Sequence, residues 1–279
     1  MRRELWENRS IVLAPLIVAA VVLFASSMIT FGLPRRIRAA EGLGPAKHHS
    51  ALVNTFSMAP APIMLATLLV GLFYSLDALY GERRDRSILF WKSLPVSDRT
   101  TVLAKAAIPL AVLPAIGFAL SVITQFALLM LGSMVLLGSG MSPATLWTEF
   151  GFFQGLLIMI YGLTVHMLWF APIYAWLLMV SAWARRSPVL WAVLPLFAIG
   201  IMERIALGTS HFGLWLKYRV VGAMAEAFAT SPQHGGDIER LSQLTPARFL
   251  SAPGLWLGLA FAAACLAAAV RLRRQRQPI

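Results

Sequence analysis

The chain has 279 residues, of which 58% are hydrophobic and only 13% are charged, and its mean hydropathy is +0.72. Soluble domains carry roughly 25% charged residues, so the composition excludes an ordinary soluble domain. The formal net charge of +12 would suggest a nucleic-acid partner in a soluble protein. Lys and Arg also gather in the cytoplasmic loops of membrane proteins, and the apolar runs leave no surface for nucleic acid, so nucleic-acid binding is not expected.

Six apolar runs follow one another along the chain, and each is long enough to cross a bilayer as a helix. The predicted spans are residues 11–33, 60–80, 102–137, 151–183, 189–207 and 254–270. The first run lacks a convincing small-residue cleavage site, so it reads as a retained span and not as a signal peptide. The sequence therefore predicts an all-α polytopic membrane protein with six transmembrane helices.

The third run is the ambiguous one, because 36 residues would form a helix of roughly 54 Å. Two spans with a turn need at least about 40 residues, so we predict one long or kinked helix. Pro109 and Pro114 lie near its start, where proline is tolerated or bends the helix.

One membrane domain, residues 1–279, accounts for the whole chain. Three of the segments outside the predicted spans are singled out: an N-terminal segment (1–10), a loop (81–100) and a long connection (208–253). The N-terminal segment reads equally well as an interfacial helix or as a solvated tail.

The distribution of Lys and Arg predicts the orientation. Six spans place both termini on one side of the membrane. On that side lie the N-terminal segment, residues 81–105, residues 184–188 and the C-terminal tail. Together they contain 15 of the 24 Lys and Arg residues. Cationic loops stay in the cytoplasm, so both termini and the loop 81–100 are predicted to be cytoplasmic, although Arg35, Arg36 and Arg38 fall on the other side.

The sequence offers little support for catalysis by this chain. None of its four lysines has the GxxxxGK[ST] context that nucleotide phosphates require, and there is no HExxH zinc motif. His166 lies at mid-span, where a histidine is a functional candidate, but without a partner motif we favour interhelical hydrogen bonding. We expect Asp77, Glu203 and Arg204 to be paired near the ends of their spans, with Arg83 or Arg84 within reach of Asp77. Catalytic residues, metal ligands and cofactor-binding residues are therefore not predicted.

The loop 81–100 reads GERRDRSILFWKSLPVSDRT and places aromatic residues among arginines. Residues 82–93 are predicted to form a three-turn helix that ends at Pro95, and Ser97 or Asp98 can cap the next helix. Apolar side chains would protrude on two sides of this short helix. One side can rest on the membrane or the bundle, and the other suits a protein groove, since aromatics flanked by Arg are a common interface composition. Membrane anchoring and partner docking both remain open on these grounds.

The same loop resembles the cytoplasmic loop of ABC-2 type transporter permeases. The family pattern is an E-R-x-x-G-[TS] opening, an apolar centre, S-x-P-[VLI]-S and a lysine where the next span begins. The matching residues here are ERRDRS at 82–87, FWKSLPVS at 90–97 and Lys105, so the resemblance covers about 25 residues. Arg86 stands where many members have glycine. Six spans, cytoplasmic termini and a large outer segment between the last two spans also fit the family. In that family the outer segment often holds surface or re-entrant helices, and the resemblance implies that residues 214–229 (LWLKYRVVGAMAEAFA) form one here.

The resemblance implies an ABC-2 (type V exporter-like) permease fold whose loop 81–100 acts as a coupling helix in a cleft of a separate ATP-binding subunit. ATP and Mg would be bound by that subunit, so no cofactor is expected in this chain. Two permeases, as a homodimer or heterodimer, would pair with two ATPases in the bacterial inner membrane, in contact with membrane lipid. The coupling residues implied are Glu82, Arg83, Arg84, Asp85, Phe90, Trp91, Ser93, Leu94 and Pro95.

In this reading Phe90, Trp91 and Leu94 supply apolar anchors. The four charged residues 82–85 supply charged contacts or fix the helix to the second span. The implied function is export of a substrate by alternating access, with the substrate-binding residues unknown. A membrane-embedded enzyme, using His166 or Glu203, and an ATP-independent secondary carrier are the alternatives.

Overall fold

The computed structural model describes residues 8–40, 44, 49, 53–87, 96–229, 238 and 240–275. These residues are almost entirely helical, and no strand occurs among them. The helices in chain order are α1 (Ser10–Phe31), α2 (Leu33–Ala40), α3 (Pro60–Asp77), α4 (Tyr80–Arg84), α5 (Asp98–Ala107), α6 (Leu113–Gly138), α7 (Ala144–Phe150), α8 (Phe152–Trp183), α9 (Pro188–Leu207), α10 (His211–Ala227), α11 (Pro246–Ser251) and α12 (Pro253–Gln275).

Six helical stretches are long and apolar enough to cross a membrane, which confirms the six predicted spans. They are Ser10–Phe31, Val53–Arg84, Asp98–Gly138, Ala144–Trp183, Pro188–Leu207 and Pro253–Gln275. Their surfaces are apolar as well as their interiors. In α9 only Ala192 is buried, while Leu190, Phe197 and Ile205 are 62%, 65% and 81% exposed. Such an apolar surface is expected of a helix that faces lipid.

The third span is one helix with a local defect, as predicted from its two prolines. A π-helical turn, Ile108–Val112, connects α5 to α6. Pro109 and Pro114 lack an N–H group, so two carbonyls of the preceding turn lose their intrahelical donors. The helix widens for one turn at this place, and single-turn π-bulges of this kind occur inside longer α-helices.

The start of α1 and the end of α12 lie at the same end of the bundle. Ile11, at the start of α1, is fully buried in a cluster with Ala78 and Leu178, and Arg273 of α12 contacts α4 and α5. We call this the terminal end, and the opposite end, which carries α7, α10 and α11, the distal end. The start of the first span and the end of the last one therefore lie together, and the cytoplasmic placement of the termini stays a prediction.

The bundle is built around α8, which packs along α12 and against α3, while α1 packs against α6 and α3. The contact between α8 and α12 depends on small residues, among them Ala171, Ala175 and Ala262 with Cys265. Small side chains allow transmembrane helices to approach closely where no hydrophobic effect drives them together.

The predicted surface helix at 214–229 is present as α10, and it is fastened to the spans by a buried arginine. Arg219 is 5% exposed and donates hydrogen bonds to the carbonyls of Trp169 in α8 and Gly254 in α12, with its guanidinium 4.6 Å from the centre of the Trp169 ring. A Cβ at Gly258 would lie 2.5 Å from this guanidinium, so only glycine leaves room for it. Burial lowers the pKa of Arg219 to about 10, so the group remains a cation at neutral pH.

Candidate functional site

The base of the loop 81–100 is the short helix α4, which follows α3 after a tight turn at the terminal end. The helix ends at Arg84, and Arg86 has a φ of 57°. This left-handed conformation is costly for a residue with a Cβ and breaks the helix. The predicted continuous helix over residues 82–93 is therefore wrong in its first part, because Glu82 belongs to a helix that begins at Tyr80 and ends before Arg86.

Glu82 is buried inside the bundle. Its carboxylate lies 3.2 Å from the Lys105 ammonium in α5 and 3.2 Å from the Arg273 guanidinium in α12, and the three side chains are 8%, 6% and 4% exposed. Arg273 also contacts Asp98, the first residue of α5. Buried charges need partners of opposite sign, and these four residues supply them to one another. We call them the charge cluster.

The charge cluster connects both ends of the loop to the end of the last span. Glu82 precedes the loop, whereas Asp98 and Lys105 follow it, and Arg273 contacts residues on both sides. Ser97 caps α5 by accepting a hydrogen bond from the Thr100 backbone N–H at 3.1 Å, which confirms one of the two predicted caps. The two ends of the loop are thus held at fixed positions on the bundle.

Arg83 joins the base of the loop to the end of α8. It is 2% exposed, and its guanidinium donates to the carbonyls of Ser181 (2.8 Å) and Ala184 (2.5 Å). In return the Ser181 hydroxyl accepts hydrogen bonds from the backbone N–H groups of Leu79 and Tyr80, at 3.0 and 2.9 Å. Carbonyls at the end of a helix have no intrahelical partner, so Arg83 satisfies groups that would otherwise be left unpaired.

Arg84 and Asp85 face outward. They form a 3.0 Å ion pair with each other, and both side chains are more than half exposed. Arg84 also lies 3.8 Å from Asp77, which confirms the predicted reach between these two residues. Of the four charged coupling residues, two are therefore available at the surface and two are used inside the chain. The remaining predicted coupling residues, Phe90, Trp91, Ser93, Leu94 and Pro95, lie outside the described residues.

The distal end holds a second candidate site, a cavity of about 1500 Å³ between α3, α6, α8 and α10. Ligand pockets usually measure about 300–1,000 Å³, so this one is large. Its lining on α8 runs from Gln154 to Phe170, a distance of about 24 Å along a helix. The cavity therefore reaches from the distal surface well into the bundle.

His166 lines the inner part of this cavity and has its own partners. It stacks on Phe170 with ring centres 4.8 Å apart, and its Nε2 lies 3.3 Å from the Tyr174 hydroxyl. The predicted hydrogen bond is present, but it is formed within α8 and not between helices, because the long Tyr174 side chain spans the two turns between them. Trp169 and Tyr174, on the same helix, are almost fully buried packing residues.

Glu203, the other candidate for catalysis, caps the helix α10. Its carboxylate accepts hydrogen bonds from the Thr209 hydroxyl and from the backbone N–H groups of His211 and Phe212, at 2.6–2.8 Å. Helix N-termini favour anionic partners, so this carboxylate has a structural role. The sequence predicted that Glu203 is paired, and Thr209, His211 and Phe212 are its partners.

Sequence reasoning missed the role of Arg273 and Ser181. Arg273 belongs to the tail RLRR, whose arginines all count equally in predicting membrane orientation. Nothing in the sequence distinguishes the arginine whose side chain points into the bundle. Ser181 is one of several hydroxyl residues in an apolar span, where the side chain commonly bonds its own helix. Lys105 did have a signal, because the resemblance includes a lysine at the start of the next span.

Comparison of the chain with protein-family models, curated proteins and solved structures finds no match. Among the described residues, no three His, Cys, Asp or Glu side chains lie close enough together to hold a metal ion.

Proposed function

We propose that this chain is the transmembrane permease subunit of an ABC transporter of the ABC-2 type. In this proposal it exports a substrate across the bacterial inner membrane by alternating access, driven by a separate ATPase subunit. The observation that carries the proposal is the fixed attachment of the loop 81–100, through the charge cluster and Arg83, to three spans beyond the one that it follows.

The attachment suits a loop that transmits force. Glu82 links its start to α5 and α12, Arg83 links it to α8, and Asp98 links its end to α12. A partner that pushed on the loop would therefore move the terminal ends of several spans as one body. Rigid-body movement of this kind is one of the ways in which a binding event switches a packed bundle between two states.

Different residues of the loop would then have different tasks. Glu82 and Arg83 are buried and would hold the loop to the bundle. Arg84 and Asp85, which are exposed, would meet the ATPase together with the apolar anchors Phe90, Trp91 and Leu94. This assignment divides the four charged residues that the resemblance implies between the two roles.

Two permeases and two ATPases would form the complete transporter, with ATP and Mg bound by the ATPase subunits. Closure of the ATPase dimer would bring the two loops together and bias the bundles from inward-open to outward-open. Coupling between the two sites would appear as a change in ATP affinity when the permease is present.

The experiment begins with the reading frame next to this one, where the proposal predicts a P-loop ATPase without spans of its own. Trp91→Ala and Phe90→Ala should reduce co-purification of that ATPase with the permease while the permease still folds. Phe153→Ala is the matched control, because Phe153 is an exposed aromatic residue (78%) at the distal end and should not affect assembly. Undiminished assembly and transport in both loop variants would remove the coupling role.

A further inference from the structure

One face of α8, which we call the glycine face, carries two glycines that no packing contact explains. Gly155 and Gly162 both line the distal cavity. A Cβ at Gly155 would have no atom within 4 Å, and one at Gly162 would reach only Phe228 at 4.0 Å. Glycine inside a helix costs about 1 kcal/mol relative to alanine, and glycines in membrane helices usually serve close packing. Here they widen the cavity instead.

The inner part of the cavity does not require a polar ligand. Each of its polar side chains has a partner in this chain: Thr67 donates to the Met64 carbonyl at 2.8 Å, Gln125 donates to the Phe56 carbonyl at 3.2 Å, and His166 bonds Tyr174. The other residues at this depth are apolar, including Met64, Leu163, Phe170 and Val220. An apolar ligand would leave each of these three side chains with the hydrogen bond that it already makes.

The mouth of the cavity is charged. Glu149, in α7, bonds the His49 Nδ1 at 2.7 Å, and Arg240 lies on the same rim. Glu149 is 44% exposed, so its charge is accessible to a molecule that enters from the distal side. The cavity thus combines a long apolar interior with ionic groups at its opening.

We propose that this cavity binds one amphipathic molecule, whose hydrocarbon body lies along the glycine face of α8 and whose charged head stays at the mouth beside Glu149 and Arg240. The volume of about 1500 Å³ suits a molecule of lipid size. The site lies within a single chain, so binding does not require the ATPase. Its use as the site of the exported substrate rests on the proposed function.

The test is a binding titration of the purified full-length chain in phospholipid nanodiscs, without ATPase. The probes are two dansyl-labelled alkyl chains of equal length, one with a carboxylate head and one with a trimethylammonium head. At least one probe should bind saturably above the signal of empty nanodiscs. Gly155→Leu and Gly162→Leu place a side chain in the cavity and should each weaken that binding at least about tenfold. Gly213→Leu is the matched control, since its Cβ also has no neighbour within 4 Å but lies outside the cavity lining.

The position of the head is tested by Glu149→Gln. If the head lies at the mouth, this change should weaken binding of the cationic probe and strengthen binding of the anionic one, each several-fold.

Signals equal to those of empty nanodiscs, or equal affinities in the wild-type and both cavity variants, would overturn the site. The site would also be overturned if Gly155→Leu changed the mass of the protein particle while probe binding persisted. The glycine face would then contact a second copy of the chain. An unchanged ratio of the two affinities with Glu149→Gln would overturn the placement of the head. Failure here leaves ATPase assembly unaffected, so the two proposals fail separately.

Discussion

Replacing Glu82 by glutamine should destabilise the isolated chain strongly. The carboxylate lies 3.2 Å from both Lys105 and Arg273, and the side chains of all three residues are at most 8% exposed. Removal of one partner from a buried ion pair typically costs about 3–5 kcal/mol, because it leaves an uncompensated buried charge. At roughly 2–4 °C per kcal/mol for a chain of this size class, Glu82→Gln should lower the midpoint of thermal unfolding by on the order of 10 °C.

The assay is thermal unfolding of the detergent-solubilised chain, with loss of monodisperse protein as the readout. Asp85→Asn is the control, since its exposed ion pair with Arg84 should contribute no more than about 1 kcal/mol. The double variant Glu82→Gln/Lys105→Gln should be less destabilised than the two single variants added together, because contacting residues do not behave independently. An unfolding midpoint for Glu82→Gln within a degree or two of the wild type would refute the reasoning, and reduced ATPase association in that stable variant would instead place Glu82 at the partner interface.

Three further predictions address the rest of the fold. Ser181→Ala removes the acceptor of two backbone N–H groups and should cost about 1–3 kcal/mol per group in the same unfolding assay; an unchanged midpoint would show that water replaces the hydroxyl. Gly258→Ala should displace Arg219, whose guanidinium lies 2.5 Å from the new Cβ, and cost about 1–3 kcal/mol; a neutral effect would mean that the arginine can move without loss. A membrane-impermeant maleimide should label Thr145→Cys in intact cells, whereas it should label Arg86→Cys only after the cells are lysed. The reverse pattern would invert the predicted orientation.

The spans were predictable because their signal is long and strong. Residues 189–207 were predicted and Pro188–Leu207 is observed. The third span was predicted as one long or kinked helix, and the single helical stretch Asp98–Gly138 with its π-helical turn at Ile108–Val112 confirms this. Membrane helices must satisfy every backbone group internally, so an apolar run of sufficient length has almost no alternative to a helix.

The candidate sites were less predictable because they depend on contacts between distant residues. The sequence singled out Glu82 as a charged residue of the loop, yet it carries no sign that this carboxylate turns inward to Arg273, 191 residues later. The break at Arg86 was also hidden, because the charge pattern of 82–93 favours a helix and only the tertiary contacts of Glu82 and Arg83 fix where it ends. The distal cavity was missed entirely, since glycines that line a cavity look the same in a sequence as glycines that pack helices together.

The central claim is that the loop 81–100 docks into a separate P-loop ATPase, and photo-crosslinking tests it most directly. A photoreactive amino acid would replace Trp91 in the full-length chain, co-expressed in its native membrane with the P-loop ATPase of the neighbouring reading frame. The same substitution at Phe153, at the distal end, serves as the control. We predict a covalent adduct between position 91 and the ATPase, identified by mass spectrometry, and none from position 153. Adducts with lipid alone, or equal adducts from both positions, would contradict the claim.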